Sequence, residues 1–328
     1  MADATPAVTL PADAPTGIRR GPPAPLRIGS RTFRWGRRTY LMGIVNVTPD
    51  SFSGDGLLDS TGSAAQAEAA AVALGRRMAA EGADLLDVGG ESSRPGHAPV
   101  GEAEELARVV PVVRALRAAL PDMPLSVDTI KPRVAEAAVD AGADLLNDVW
   151  GVGPSGRDMA RVAAERGVPL VVMHNRAEPR YRNLVAEVLA DLERALERAV
   201  DAGVAWERLI VDPGMGFGKS AEQNLALFHE LSVLRQLGRP ILLGFSRKST
   251  IGRVLDLPAR ERLEGTLAAT ALGVAAGVDL VRVHDVEPNR RAARMADAIV
   301  RHGALPLPDP PEAADEPASD ATARGPLS

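Results

Sequence analysis

Short runs of Val, Ile and Leu recur along the chain, and they lack the polar alternation of strands that are exposed on one face. Runs of this kind are typical of parallel strands that are buried on both faces. A stretch rich in Ala, Leu, Glu and Arg follows each run, with the apolar spacing of an amphipathic helix. The candidate strands are residues 40–45, 85–88, 125–127, 145–148, 169–173, 209–212, 241–244 and 280–283.

Glycines support this alternation of strands and helices. Gly82, Gly142, Gly167 and Gly277 each precede a candidate strand by two or three residues. Glycine at such a position ends a helix in the left-handed conformation and turns the chain back. Eight strand–helix units with parallel strands predict an α/β fold, a closed (β/α)₈ TIM barrel. An open doubly wound sheet is the alternative, but no Gly-x-Gly-x-x-Gly follows the first strand.

The segments outside these units have different compositions. Turns at Gly29-Ser30 and Trp35-Gly36 predict a small hairpin that caps the floor of the barrel. Residues 1–26 and 305–328 are rich in Ala, Pro and Asp, so they cannot bury enough apolar surface to offset the entropy lost on ordering. We therefore expect one barrel domain over residues 27–304, between two disordered tails.

Composition and charge exclude several classes of protein. The 328 residues include no cysteine, which excludes disulfides, thiolate nucleophiles and cysteine-ligated metals. A net charge of -5 argues against general affinity for nucleic acid. The N-terminus lacks the order of a signal peptide, and no uncharged apolar run reaches the roughly 20 residues that span a bilayer. We expect a cytoplasmic protein without membrane contact.

Polar side chains occur at the carboxyl end of every candidate strand, where barrel enzymes build their active sites. One group is cationic and suits phosphate or diphosphate, namely Arg94, Arg247, Lys248, Arg282 and His284. A second group offers acceptors for a heterocycle with an amino-pyrimidine edge, namely Asp128, Asn147 and Asp212. We interpret Asp87, Glu91 and Asp148 as bracing groups. The two groups predict a substrate with a polar ring at one end and a phosphate at the other.

Seven short motifs follow one another in these strand-end positions. They are residues 42–53 (MGIVNVTPDSFS), 87–96 (DVGGESSRPG), 126–129 (SVDT), 147–148 (ND), 212–219 (DPGMGFGK), 246–249 (SRKS) and 282–286 (RVHDV). In this order they resemble the motifs of the dihydropteroate synthases, over about residues 41–299. The resemblance implies condensation of 6-hydroxymethyl-7,8-dihydropterin diphosphate with p-aminobenzoate, which gives 7,8-dihydropteroate and diphosphate in folate biosynthesis. It also implies a homodimer, and a family that is a target of sulfonamides.

The resemblance assigns roles to matching residues. Asn46 would help to hold Mg²⁺, which favours oxygen ligands from substrate phosphates and few protein groups. Diphosphate would be bound by Arg94, Arg282 and His284, and the pterin by Asp128, Asn147, Asp212 and Lys248. The p-aminobenzoate site would be formed by Ser93, Arg94, Pro95, Phe217, Lys248 and Ser249. Catalysis would depend on Arg94, Asp128, Asp212 and Lys248, with loops 48–58 and 91–100 closing over the site.

The chain departs from the family pattern at two positions. Ser93 stands where the family usually has Thr, and Asp55 comes one place later than the family's loop aspartate. The shifted aspartate keeps open a non-catalytic, pterin-binding paralogue. A second alternative is a methyltetrahydrofolate-dependent methyltransferase, although that reaction needs no diphosphate site.

Overall fold

Two short strands precede the main sheet in the computed structural model, which describes residues 23–48, 64–91, 99–151, 153 and 156–302. They are β1 (Leu26–Ile28) and β2 (Arg31–Phe33), and they pair as an antiparallel hairpin. Eight further strands are β3 (Tyr40–Asn46), β4 (Leu85–Gly89), β5 (Leu125–Asp128), β6 (Leu145–Asp148), β7 (Leu170–Met173), β8 (Leu209–Asp212), β9 (Leu242–Leu243) and β10 (Leu280–Val283).

The eight strands form a closed parallel barrel. Hydrogen-bonded neighbours run in the order β8–β7–β6–β5–β4–β3–β10–β9. A parallel bridge between Val211 and Ile241 joins the two ends of this order, and the Val211 amide donates to the Pro240 carbonyl at 2.9 Å. The predicted TIM barrel is therefore confirmed. The strand bounds differ from the predicted ones by at most one residue at either end. The shortest strand is β9, which is joined to β8 through the bridge between Val211 and Ile241.

Helices surround the barrel, one after most strands and two after β9. They are α1 (Ala64–Glu81), α2 (Glu102–Ala119), α3 (Pro132–Asp140), α4 (Gly156–Arg166), α5 (Leu184–Asp201), α6 (Ala221–His229), α7 (Ser249–Leu255), α8 (Leu263–Ala275) and α9 (Val286–Asp297), which continues as a π-helical turn over Ala298–His302. Within the described ranges, no helix combines the length and apolarity needed to cross a bilayer.

The hairpin plugs the amino-terminal end of the barrel. Ile28 and Phe33 are buried in one cluster with inward-facing barrel residues such as Met42 and Leu242. The ring centroids of Phe33 and Tyr40 lie 4.7 Å apart. The predicted floor-capping hairpin is thus present. The predicted domain boundary after residue 26 falls inside β1, because the buried side chain of Leu26 belongs to this plug.

Alternation along the strands explains why the other end of the interior is polar. Successive side chains of a strand point to opposite faces, so a residue two places after an inward-facing one also faces inward. Inward-facing apolar residues of the lower layer include Leu85, Leu145, Ile210 and Leu280. Two places further along the same strands come Asp87, Asn147, Asp212 and Arg282. The same strands therefore supply an apolar floor and a polar upper layer.

Candidate active site

A pocket opens at the carboxyl end of the barrel, where the polar layer lies. Strand ends contribute most of its wall, and the segments after β8 and β9 contribute the rest. Its lining consists of Asp128, Asn147, Val149, Met173, Asp212, Met215, Phe217, Gly244, Lys248 and Arg282. Six residues that the sequence predicted for the site are thus brought together, namely Asp128, Asn147, Asp212, Phe217, Lys248 and Arg282.

The guanidinium of Arg282 lies between two carboxylates at the bottom of this pocket. Its Nε donates to Asp87 Oδ2 at 2.5 Å, and its Nη2 donates to Asp128 Oδ2 at 2.8 Å. Asn147 Nδ2 also donates to Asp87 Oδ2, at 3.1 Å. Asp87 therefore orients two residues of the pocket lining. The sequence analysis placed Asp87 only among bracing groups, although its inward position on β4 was a usable signal.

Several buried polar atoms at this end have no hydrogen-bond partner among the described residues. They include Asp87 Oδ1, Ser126 Oγ and Asn147 Oδ1, which come from three neighbouring strands. Leaving a buried polar group unpaired costs about 1–3 kcal/mol, so such groups normally have a partner. A ligand with several N–H donors would supply partners for the acceptors of this set.

Burial changes the acidity of both carboxyl groups in the pocket lining. Loss of hydration raises the pKa of Asp128 to about 7, although Arg282 acts in the opposite direction. Burial likewise raises the pKa of Asp212 to about 6, while the hydrogen bond from the Gly214 amide opposes this. That amide donates to Asp212 Oδ1 at 2.7 Å. Two buried carboxyl groups with raised pKa values in one cleft are typical of a functional site.

Phe217 enters the pocket from a glycine-rich loop, residues 213–219. The loop packs directly on the segment after β7: a Cβ atom on Gly214 would lie 1.7 Å from the His174 carbonyl oxygen. Gly214 also has a φ of 66°, in the left-handed region that glycine tolerates. Lys248 Nζ lies 4.0 Å from the centroid of the Phe217 ring, which is within the range of a cation–π contact.

Lys248 follows a turn with unusual backbone geometry. Arg247 has a φ of 55°, which is uncommon for a residue with a side chain. Its guanidinium donates to both carboxylate oxygens of Asp285, at 2.6 and 3.0 Å. Arg262 Nη1 donates to the carbonyl oxygen of Arg247 at 3.0 Å. These contacts hold the turn that directs Lys248 to the pocket, so Arg247 serves the turn rather than lining the pocket.

Three predicted site residues lie outside the pocket lining. Asn46 ends β3 beside Gly89, is partly buried, and forms no side-chain hydrogen bond with any described residue. The ring of His284 contacts Ser246, with Nδ1 and Oγ 3.0 Å apart. Ser249 is exposed at the start of α7 and lines a surface groove with Arg253.

Other predicted residues fall on unassigned parts of the chain. Ser93, Arg94, Pro95 and Asp55 lie outside the described residues, as do most of the two predicted lid loops, residues 1–22 of the first predicted tail and the whole of the second. Among the described residues, no group of three or more His, Asp or Glu side chains could hold a metal ion. The amide oxygen of Asn46 at the end of β3 could serve as one protein ligand of a Mg²⁺ ion that is also bound by substrate phosphates.

Comparison with known proteins identifies the family. The profile of the family described as pterin binding enzymes matches residues 42–284. The chain belongs to this family. The dihydropteroate synthase of Clostridium beijerinckii is 50% identical over 277 residues, which are 84% of this chain and 100% of that protein.

Further pterin-binding enzymes extend the comparison. The dihydropteroate synthase of Xanthomonas albilineans, solved with 4-aminobenzoic acid, is 43% identical with a TM-score of 0.77, covering 84% of this chain and 98% of its own. A protein of Mycobacterium tuberculosis named inactive dihydropteroate synthase 2 is 43% identical over 277 residues, covering 80% of this chain and 84% of its own length. Similarity of this degree therefore includes a family member without the activity.

We expect Asp212→Asn to raise the free energy of unfolding at neutral pH. Because burial raises the pKa of Asp212 to about 6, above the usual value of 3.8 for an aspartate, the wild type loses stability as pH rises through that window. Asn removes this loss, which is on the order of 3 kcal/mol, and keeps an oxygen for the Gly214 amide. Urea unfolding at pH 4.5 and pH 8 measures the effect.

The exposed variant Asp201→Asn is the control, since it removes a carboxylate at the end of α5. Asp212→Asn should raise the free energy of unfolding more at pH 8 than at pH 4.5. The control substitution should change the free energy of unfolding little at either pH. Equal unfolding free energies for Asp212→Asn and the wild type at pH 8 would contradict the prediction.

Proposed function

We propose that the chain is an active dihydropteroate synthase, which joins 6-hydroxymethyl-7,8-dihydropterin diphosphate to p-aminobenzoate and releases diphosphate. The observation that carries this proposal is the buried polar pocket in which Arg282 lies between Asp87 and Asp128. Asn147 and Asp212 complete its set of acceptors. Such an arrangement suits a flat heterocycle with donors along one edge.

The pterin ring would be held by the strand ends. Its ring and exocyclic N–H groups would donate to the carboxylates and to Asn147 Oδ1, which has no partner among the described residues. A site whose buried acceptors need these donors rejects ligands that lack them, because the acceptors would stay unpaired. Met173 and Met215 supply apolar contact for the ring faces.

The arylamine would lie beside Phe217 and Lys248, where a cation meets an aromatic ring. The family resemblance assigns Ser93, Arg94 and Pro95 to the same p-aminobenzoate site. The ammonium of Lys248, 4.0 Å from the centroid of the Phe217 ring, offers a partner for a substrate carboxylate or pterin oxygen. An arylamine bound here would lie next to the carbon that it attacks.

The reaction is an alkyl transfer that needs no protein nucleophile. The bond between the pterin methylene carbon and a diphosphate oxygen breaks, a carbon–nitrogen bond to the arylamine forms, and the nitrogen loses one proton. Asp128 and Asp212 would stabilise positive charge on the ring, while Arg94, Arg282 and His284 would stabilise the departing diphosphate. Fixed charges in a buried site commonly lower such barriers by several kcal/mol.

A bound Mg²⁺ would neutralise charge on the diphosphate and so assist its departure. Asn46 is the described residue that we assign to it, because its amide oxygen lies at the end of β3 without a hydrogen-bond partner among the described residues. The absence of cysteine from the sequence agrees with the cytoplasmic location that we propose for this reaction.

The decisive experiment measures diphosphate release by the purified full chain. We expect release that requires both p-aminobenzoate and Mg²⁺, and a loss of kcat/KM of about a hundredfold in Asp128→Asn, since removal of one fixed charge commonly costs that much. Asp122→Asn, an exposed carboxylate at the opposite end of the barrel, is the matched control.

Two outcomes would favour other functions. Pterin binding without any release of diphosphate would identify a non-catalytic paralogue like the inactive mycobacterial relative. Methyl transfer from methyltetrahydrofolate, without use of the diphosphate substrate, would identify the methyltransferase alternative. Release that is independent of p-aminobenzoate would also contradict the proposed reaction.

We expect Asn46→Ala to raise the Mg²⁺ concentration for half-maximal activity about tenfold, which corresponds to the loss of one contact worth about 1.4 kcal/mol. Maximal activity at saturating Mg²⁺ should fall less, because the substrate keeps most of the ion's ligands. A Mg²⁺ titration of both proteins tests this. An unchanged Mg²⁺ requirement would remove Asn46 from the metal site.

We also propose that two copies of the chain associate through α8 and α9. These neighbouring helices expose large apolar side chains: Leu272 is 62% exposed, Met295 63% and Ile299 64%. Contiguous exposed apolar surface is typical of protein interfaces. A second copy supplies a matching surface by symmetry, since a two-fold interface uses the same patch on both subunits.

We expect Ile299→Glu to weaken this dimer by about a hundredfold, because a charge buried at an interface without a partner is costly. Sedimentation velocity over a concentration series measures the dissociation constant. Leu225→Glu is the control, since Leu225 is 47% exposed on α6. A wild type that stays monomeric at micromolar concentration, or equal weakening by both variants, would refute the proposed interface.

A further inference from the structure

A buried lysine fixes the loop that carries Phe217, although it does not line the pocket itself. Lys219 is only 9% exposed. Its Nζ donates to the carbonyl oxygens of Gly214 and Phe217, both at 3.0 Å, and lies 2.9 Å from His174 Nδ1. The three donors of one ammonium group thus have three acceptors, two of which belong to the backbone of loop 213–219.

The third acceptor is held in place by α5. His174 is fully buried, and its Nε2 lies 3.1 Å from Asp191 Oδ2. Since Nδ1 accepts from Lys219, Nε2 carries the ring hydrogen and donates it to Asp191. Arg176 Nε donates to the same carboxylate oxygen at 2.8 Å. Hydrogen bonds that run from Lys219 through His174 to Asp191 on α5 therefore fix the position of Lys219.

The glycine-rich loop depends on contacts with its surroundings to keep its shape. Three of its seven residues are glycines with positive φ, namely Gly214, Gly216 and Gly218. Glycine loses more conformational freedom on folding than other residues, so such a loop needs external contacts to keep one shape. Asn224 Oδ1 accepts from the Gly216 amide at 2.8 Å, on the side of α6. On the side of β7, the Tyr181 hydroxyl donates to the Gly218 carbonyl at 2.7 Å, and Lys219 holds the carbonyl groups of Gly214 and Phe217.

We propose that Lys219 is a positioning residue for the arylamine: by holding the carbonyl groups of Gly214 and Phe217, it keeps the Phe217 ring against Lys248. The pterin acceptors Asp128 and Asn147 lie on strands that form their own ladder hydrogen bonds, so they do not depend on this lysine. Asp212 lies on a strand as well and meets the loop only through the Gly214 amide. Removal of Lys219 should therefore weaken the arylamine half of the ligand selectively. This selectivity rests on the proposed function for the identity of the arylamine.

A matched control exists at the opposite end of the barrel. Arg239 is also a buried cation, 4% exposed, and it also donates to backbone carbonyl groups, those of Trp206 and Gly238, at 2.5 and 2.6 Å. It precedes β9 and lies far from the pocket end of the strands. Lys219→Met and Arg239→Met each remove a buried cation that satisfies two carbonyl groups, but only the first affects the Phe217 loop.

The test compares two ligands, 6-hydroxymethylpterin and pteroic acid, which share the pterin ring and differ by the arylamine. Equilibrium binding of each is measured by calorimetry for the wild type, Lys219→Met and Arg239→Met. The arylamine's contribution is the ratio of the affinity for pteroic acid to the affinity for 6-hydroxymethylpterin. We expect Lys219→Met to reduce this ratio about tenfold and to leave the affinity for 6-hydroxymethylpterin within about threefold of the wild type. Arg239→Met should lower the melting temperature without changing the ratio of the two affinities.

Steady-state kinetics supplies a second readout. Lys219→Met should raise KM for p-aminobenzoate about tenfold, more than KM for the pterin diphosphate. Lys219 would serve stability alone if Lys219→Met lowered the affinities for 6-hydroxymethylpterin and pteroic acid equally. The same conclusion would follow if the ratio of these two affinities were equal in Lys219→Met and Arg239→Met. A chain that binds 6-hydroxymethylpterin and pteroic acid but does not join the pterin diphosphate to p-aminobenzoate would refute the proposed function, while the ratio of the two affinities would still decide the role of Lys219.

Discussion

A closed barrel of eight parallel strands leaves an interior about as wide as its inward-facing side chains, and only alternate residues reach it. The rest of this structure depends on how that interior is divided. Phe33 and its hairpin fill the lower end together with apolar side chains such as Met42 and Leu280. These apolar side chains close the lower end of the interior to water. Among the described residues, polar inward-facing side chains therefore occur only at the carboxyl end of the barrel.

The polar layer remains compatible with folding because one cation serves two carboxylates. Arg282 lies between Asp87 and Asp128, and removing either partner of such a buried pair would leave an uncompensated charge. The same arrangement leaves oxygen atoms of Asp87 and Asn147 without partners among the described residues. A layer whose one guanidinium serves two carboxylates, and whose acceptors are incomplete in hydrogen bonds, is suited to a polar ring with several N–H donors.

Local sequence was enough to predict the strands and the residues that end them. Asp128, Asn147 and Asp212 follow runs whose burial and direction the pattern determines, so their convergence on one pocket was predictable. Asp87 was interpreted only as a bracing group, and the partner that it braces was not predicted, since the contact with Arg282 spans 195 residues of chain. Ser249 was assigned to the site from a motif; it is exposed at the start of α7, outside the pocket lining, and its role stays a prediction.

In this barrel, the residues that would bind a ligand are not the residues that stabilise the fold. Burial raises the pKa of Asp128 and Asp212 and lowers the pKa of Lys219 to about 7, so each of these groups is costly to hold in its charged form. None of these costs is needed to close the barrel, whose apolar layers already do so. A strand residue such as Ile210 could be exchanged for another apolar residue of similar size at little cost. Asp212, two places later on the same strand, is retained at a cost in stability, which is expected of a residue that serves a ligand rather than the fold.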